Sequence, residues 1–336
     1  MTREGRTYDR FSAKIALQGL TSCGSRPENT ANKLPSTARI IKMKDRIEVK
    51  DVLPEVPKIT DEQLEAARKS GRYESIAFEQ YKFVAQLIAI VARIDKTSEG
   101  FKKIPSQQYH ILMGLMNRCA RLILSTMELS HEGKFGETSS IIFRCIFESG
   151  VKIIWFCSDG LQSKFDLYIN DGLKPEIELL DTIKKNVTER NGAILGIEER
   201  MMDSVYYHIK TGETTESAVR LSKKMPDMAT IVRDIGFDRI MYVANHRIGS
   251  HHVHGTWPSL LFSYLEKEGD GLIARGNNVS TRANEYIATS IIMTRTMSAY
   301  CDFMLETPMK EILINLCLEE ENDLIRIFED MTKHGW

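Results

Sequence analysis

The sequence predicts an all-α protein, a multi-helix bundle behind a flexible N-terminal leader. Three observations carry this expectation. Apolar residues recur at helical spacing in one segment after another between Thr60 and Thr332. Strand-like alternation of apolar and polar residues is nearly absent, so helix packing has to build the core. Residues 1–58 have no helical period; they are rich in Thr, Ser, Arg, Lys and Asn, and Pro27, Pro35, Pro54 and Pro57 interrupt them. That composition reads as a leader, with one short extended piece at Ile40–Val52. The 336 residues, 42% of them hydrophobic, suffice for one large core or two smaller ones. The division expected is a leader over 1–58, a helical bundle over 59–306 and a C-terminal helix over 307–336.

Thr60-Asp-Glu-Gln63 has the form of a capping box, and the helix it opens runs to about Gly71. Tyr73–Asp95 follows, with Phe78, Tyr81, Val84, Leu87 and Val91 in helical register. Ser106–Ser130 carries Leu112, Leu115, Met116, Cys119 and Ile123 at the same spacing. After the loop His131–Gly136 comes the most apolar helix, Glu137–Cys157. Residues 175–225 are more charged and predict two exposed helices, Pro175–Arg190 and Ile197–Lys210, then a short one near Glu216–Lys224. Asp227–Ile235, Phe237–His254 and Ser259–Glu268 are further helices, and Gly269–Asn278 is a turn-rich loop. Ser280–Glu306 places Met293, Met297 and Met304 in the core. The last helix, Pro308–Thr332, sets Leu313, Leu316, Leu324 and Phe328 beside Glu319-Glu-Glu321. Two readings of it are open: a dimer or partner surface, or a cap on the bundle.

Lys+Arg at 45 nearly balances Asp+Glu at 46, so an RNA substrate needs a local basic patch. Six scattered cysteines without a C-x-x-C pair read as reduced, buried thiols of a cytoplasmic protein. Met1–Ser22 is polar and basic, unlike a secretory signal. The strongest apolar run, Ile141–Cys157, is broken by Arg144, Glu148 and Lys152 and falls short of the about 18 apolar residues of a membrane span, so no membrane partner is expected. There is no G-x-x-x-x-G-K-S/T phosphate loop, no G-x-G-x-x-G after a strand and no G-x-S-x-G elbow. ATPase, kinase, dinucleotide-dependent dehydrogenase and serine-hydrolase chemistry therefore lack support, and no cofactor is expected.

Two polar constellations sit on apolar helices. At about 100° per residue, Ile141, Arg144, Glu148, Val151 and Trp155 share one face. Arg144 and Glu148, four apart, are expected to pair, since unpaired charges on so apolar a helix are costly. The second is Asn245-His-Arg-Ile-Gly-Ser-His-His-Val-His254, with four of the eight histidines. Extending the helix through it puts Ile240, Val243, Ala244, Arg247, Ser250, His251 and His254 on one stripe, apolar first and then polar. Three readings are open. The histidines hold helix ends and the Arg144–Glu148 pair together; or His251 and His254 bind a metal with Glu148 or His246; or Arg247 stabilises charge while His254 moves protons on a phosphodiester. The two constellations are expected face to face, with Glu148 reaching Arg247, His251 or His254.

Arg144-Cys-Ile-Phe-Glu148 resembles the R-x-x-F/L-E helix of a bacterial helical family, domain-of-unknown-function family 5677. Ser250-His-His-Val-His-Gly255 resembles that family's later S-x-x-V/I-H-G element, and Tyr242 stands where the family often has an aromatic residue. The resemblance covers the helix order over roughly 75–305 and implies no activity. Arg247 followed after six residues by His254 is also similar to the R-x(4–6)-H signature of the HEPN helical superfamily; His252, after four, fits the same spacing. The chain departs from that signature at Ile248, where a polar residue is usual. This second resemblance implies a metal-independent ribonuclease, a toxin or phage-defence effector with a site built across a homodimer. Arg247, His254, Ser250, Glu148, Arg144 and His251 would then be its catalytic residues. A non-enzymatic module for a protein partner and a metal-dependent hydrolase are the alternatives.

Overall fold

A computed structural model describes residues 53–98, 100–130, 134–306 and 308–334. The leader expected over 1–58 lies outside the described residues except for 53–58, and so does the piece at Ile40–Val52. The described chain is helical, and its one sheet is a two-stranded hairpin. No described helix is long and apolar enough to cross a membrane. The five described cysteines are free, and Cys119, Cys301 and Cys317 are buried.

Where one bundle was expected over 59–306, Cα packing separates two compact units. Of the described residues, the first takes in those up to Lys103, those of Met113–Ser158 and those from Met228 onward; the second takes in Ile104–Leu112 and Asp159–Asp227. The charged stretch around 175–225 belongs to the second, because it carries enough apolar residues at helical spacing to close a core of its own.

In the first unit, α1 (Asp61–Ser70) opens with the expected capping box: Gln63 N–H donates to Thr60 Oγ1 at 3.2 Å and Thr60 N–H to Gln63 Oε1 at 2.9 Å. α2 (Glu74–Val91), the first-unit part of α3 (Ser106–Ser130), and α4 (Gly136–Cys157) follow. The long helix near the C-terminus, α12 (Ala283–Met304), is the hub and packs against α2, α4 and α13 (Met309–Lys333). Ile287, Ile291, Ile292, Met293, Met297, Tyr300 and Met304 are all buried, so α12 is enclosed around most of its circumference. Gly150 lets α4 approach it: a Cβ there would lie 2.7 Å from Thr296 Oγ1. The apolar face of α13, with Leu313, Cys317, Leu324, Ile327 and Phe328, is buried, and Arg295 on α12 reaches Glu321 at 2.8 Å. α13 thus packs onto the bundle, as the second of the two readings has it.

The second unit is built from α5 (Gln162–Glu189), α6 (Gly196–Thr211) and α7 (Glu216–Leu221). Leu173, Ile177, Leu180, Val205, Ile209 and Val219 form its core. The sequence reading began a helix at Pro175, whereas α5 runs through that residue. A proline inside a helix forfeits one backbone hydrogen bond; the apolar stripe running from Leu173 on one side to Ile177 and Leu180 on the other holds the two parts on one axis.

α8 (Met228–Asp234) and α9 (Arg239–Tyr242) return the chain to the first unit. A π-helical turn, Val243–Ile248, joins α9 to α10 (Gly249–His254). The helix expected over Ser259–Glu268 is broken: α11 (Trp257–Ser259) passes into a second π-helical turn, Leu260–Tyr264, and then into β1 (Leu265–Glu268). β1 pairs antiparallel with β2 (Gly271–Ala274), Leu265 opposite Ala274 and Glu268 opposite Gly271. The cause is the two-residue link Gly269-Asp270, with Gly269 at φ 57°, which suits a tight hairpin.

Candidate functional site

A cavity of about 530 Å³ lies wholly within the first unit, between α4, the 239–264 segment and the N-terminal turns of α12. Its size falls in the range of small-molecule sites. α4 supplies Ser140, Phe143 and Arg144; the segment supplies Asn245, Ile248, His251, His252 and Phe262; α12 and its cap supply Arg282, Asn284 and Glu285.

The π turn decides which side chains of the His-rich segment face this cavity. In an α-helix the backbone N–H of residue i meets the carbonyl of i−4; a π turn meets i−5 and so holds one extra residue. Two side chains serve carbonyls four residues back on either side of the turn: Asn245 Nδ2 donates to Met241 O at 3.0 Å and Ser250 Oγ to His246 O at 2.7 Å. One extra residue rotates all that follows by about 100°. The stripe expected through Arg247, Ser250, His251 and His254 is therefore displaced to Ala244, Ile248 and His252, flanked by Asn245, Gly249 and His251. Arg247 and His254 are exposed, and Ser250 is half-buried with its hydroxyl given to the backbone. Of the sequence-derived candidates, Arg144 and His251 line the cavity.

The two constellations do pack together, through a different histidine than expected. Glu148 Oε1 lies 2.9 Å from Arg144 Nη2 and 3.0 Å from His246 Nε2. With Nε2–H donating to the carboxylate, the 3.4 Å approach of Arg144 Nη2 to the same nitrogen is a contact between two donors. His246 stacks on Tyr242, with centroids 5.1 Å apart and planes 19° from parallel. Burial pushes the Glu148 carboxyl up, but the His246 hydrogen bond and the Arg144, His246 and Lys152 charges together bring it below the ordinary value. Arg144 Nε and His246 Nδ1 are buried without partners among the described residues. Gly249 makes the packing possible: a Cβ there would meet Arg144 Cβ at 3.2 Å.

The opposite wall is formed where α12 begins. Glu285 Oε2 accepts from Arg282 N–H at 3.0 Å, and Oε1 accepts from Ser140 Oγ at 2.6 Å. Burial raises the Glu285 carboxyl above its ordinary value against these hydrogen bonds and the Arg282 charge. The Arg282 guanidinium lies 4.3 Å over the Phe262 ring. His252 stands edge-on to the same ring at 6.2 Å, with Nδ1 3.5 Å from Ser259 Oγ. Burial, then the His251 and Arg282 charges, hold the His252 imidazole below its usual value, opposed only by Glu137. His251 Nδ1 meets Thr256 Oγ1 at 2.6 Å. The cavity thus offers two arginines, two imidazoles and one buried carboxyl, a donor-rich surface suited to an anion. The sequence reading missed Arg282, Asn284 and Glu285; the available signal was Glu285, three residues after a loop residue at a helix start.

Among the described residues no three His, Cys, Asp or Glu converge as metal ligands. The metal reading through His251 and His254 with Glu148 or His246 has no such cluster here. Residues 109–272 match the model of a family described as a family of unknown function (DUF5677). The match contains both Arg144–Glu148 and Ser250–Gly255. No curated protein matches the chain, and no solved structure matches it.

Proposed function

We propose that the protein cleaves RNA without a metal ion and that the chemistry takes place in the cavity at His252. The observation that carries this reading is a partly buried histidine biased to its neutral form, in a half-open cavity with Arg144 and Arg282. Neutral imidazole is the proton acceptor that activation of a ribose 2′-hydroxyl requires. His252 takes that proton as the 2′-oxygen bonds to phosphorus. The phosphorus–5′-oxygen bond breaks, and His251, lining the same cavity, returns a proton to the departing 5′-oxygen. The products are a 2′,3′-cyclic phosphate and a free 5′-hydroxyl. Arg144 and Arg282 stabilise the charge that builds on the phosphoryl oxygens. The HEPN-like spacing is kept in this reading, since His252 follows Arg247 by four intervening residues, but the arginines are supplied by α4 and α12. An RNA-cleaving activity of this kind is what a toxin or phage-defence effector needs.

The test is RNA digestion by the wild type, His252→Ala and His254→Ala, with and without EDTA, alongside thermal melts. Cleavage that survives EDTA, is lost in folded His252→Ala and persists in His254→Ala supports the reading. An inactive wild type overturns it.

A second reading, a binding module for a protein partner or a second copy of the chain, is favoured by exposed apolar side chains close in sequence to the site. Val253, Trp257, Leu261 and Tyr264 are 41%, 58%, 40% and 47% exposed. It predicts no cleavage by the wild type, and self-association or partner capture that Trp257→Ser abolishes.

A further inference from the structure

We infer that Asn284 is a base-reading residue and that the cavity holds one whole nucleotide, its phosphate on the arginines and its base against the Asn284 carboxamide. This rests on the phosphoester reading of the same cavity and adds to it the part of the ligand that carries sequence information.

Asn284 lines the cavity and is only 7% exposed, yet its Oδ1 is buried and accepts no hydrogen bond from the described residues. A buried carboxamide oxygen without a donor costs on the order of 1–3 kcal/mol. The neighbouring polar groups are satisfied differently. Glu285 Oε1 and Oε2 are taken by Ser140 and the Arg282 backbone, and His251 Nδ1 by Thr256. A turn of the Asn284 side chain would bring this free acceptor to something that enters the cavity the residue lines.

The lining narrows what enters. Arg144 and Arg282 call for an anionic group. Phe143, Phe262, Ile248, Leu261 and Pro258 call for an apolar or planar body. A carboxamide calls for a donor and an acceptor side by side, as adenine presents with its amino group and adjacent ring nitrogen. A phosphate joined to a planar base with such an edge meets all three demands. A bare phosphate or a sugar phosphate meets only the first.

The experiment is calorimetric titration of the full chain with adenosine 5′-monophosphate, ribose 5-phosphate and inorganic phosphate, repeated on Asn284→Leu and Asn284→Gln, with thermal melts of each. Wild type should bind adenosine 5′-monophosphate at least tenfold tighter than ribose 5-phosphate. Asn284→Leu should narrow that gap severalfold while leaving ribose 5-phosphate unchanged, the apolar lining keeping the rest of the base's contribution. Asn284→Gln, which keeps the carboxamide, should recover part of the gap. Equal affinity of wild type for the two ligands, or a gap that folded Asn284→Leu retains in full, overturns the inference. The outcome is separable from cleavage. A base-dependent gap in a protein that does not cut RNA upholds the nucleotide site and removes the nuclease. RNA cleavage without a gap does the reverse.

Discussion

His246 Nε2 and Arg144 Nη2 converge on a single oxygen of Glu148, at 3.0 and 2.9 Å, in a pocket where all three side chains are less than one-third exposed. Glu148 is thus the counter-ion that lets Arg144 stand at the cavity wall. Glu148→Gln should destabilise the protein by about 1–3 kcal/mol, below the roughly 3–5 kcal/mol of a fully buried broken pair because solvent reaches part of it. Paired with His246→Asn, it should show a coupling of about 0.5 kcal/mol or more in urea unfolding. Additive effects of the two substitutions would show that the contact carries no energy. Because the Glu148 carboxyl lies below its ordinary value in the fold, its contribution is present above the unfolded value and lost as pH falls through the folded one.

The pH profile of RNA cleavage tests the role of His252. Its imidazole is held below the usual value by burial and by the His251 and Arg282 charges. The neutral form therefore persists below the unperturbed value of about 6.5, and the acid limb of the rate should fall there. Arg282→Gln removes one of those charges and should move the acid limb upward as well as slow the reaction. An acid limb that stays in place would detach His252 from the profile.

Gly249→Ala separates packing from propensity. Alanine gains roughly 1 kcal/mol over glycine within a helix. The new Cβ would sit 3.2 Å from Arg144 Cβ and 3.4 Å from its Cδ, so the arginine stem must yield by a few tenths of an ångström. The two effects nearly cancel in stability, and the expected change in melting temperature is small. Adenosine monophosphate affinity and cleavage should nevertheless fall, since Arg144 is the group displaced. Unchanged binding would mean that Arg144 does not meet the ligand.

A second ion cluster, in the same unit, fastens α1 to α13. Arg68 Nη2 reaches Asp330 Oδ1 at 2.6 Å, and Tyr73 Oη donates to Asp330 Oδ2 at 2.8 Å. Arg68 holds the Asp330 carboxyl below its ordinary value against burial. This contribution is complete above the unfolded carboxylate range and disappears as pH falls through the folded value. Asp330→Asn should cost about 1–2 kcal/mol at pH 7, with Arg68 partly exposed and screened, and should cost less at pH 3. Urea midpoints at the two pH values measure the difference.

Glu320 behaves in the opposite sense. Its side chain is fully buried, both carboxylate oxygens lack partners among the described residues, and burial with the nearby Asp323 and Glu319 raises it to about 9. The fold therefore keeps a proton that the unfolded chain gives up above about 4.5, and stability declines as pH rises between those limits. Glu320→Gln should relieve this by at most about 1.4 kcal/mol for each pH unit in that interval. The melting-temperature gain over wild type should grow from pH 5 to pH 8; a constant gain would contradict the buried proton.

The all-helical fold was legible because its signals are periodic and redundant. Thr60 and Gln63 mark a helix start, and Ser106–Ser130 was bounded to the residue. The pairing of Arg144 with Glu148 followed from their i, i+4 spacing on an apolar helix. Asn245, His252 and the exposure of Arg247 and His254 were not legible, because each depends on a change of helical pitch that residue spacing does not announce. Arg282, Asn284 and Glu285 were missed for another reason. They gain meaning only when the first turns of α12 are set opposite α4, across more than a hundred residues of sequence. Pro175 misled in the usual direction, since a proline disfavours helix and the apolar stripe around it outweighs that cost.

The π turn at Val243–Ile248 has a consequence for heredity. Removing one codon within it would close the wide turn into an ordinary α-helix and leave Ile248 and His252 facing the cavity, because the turn takes up the one residue that the deletion removes. A relative of the same length whose segment winds as plain α-helix would instead swing His251 toward the place His252 now holds. Two such chains could align letter for letter and still present different histidines to the same chamber, so descent alone would be a poor guide to which imidazole acts, and the winding of this one turn a better one.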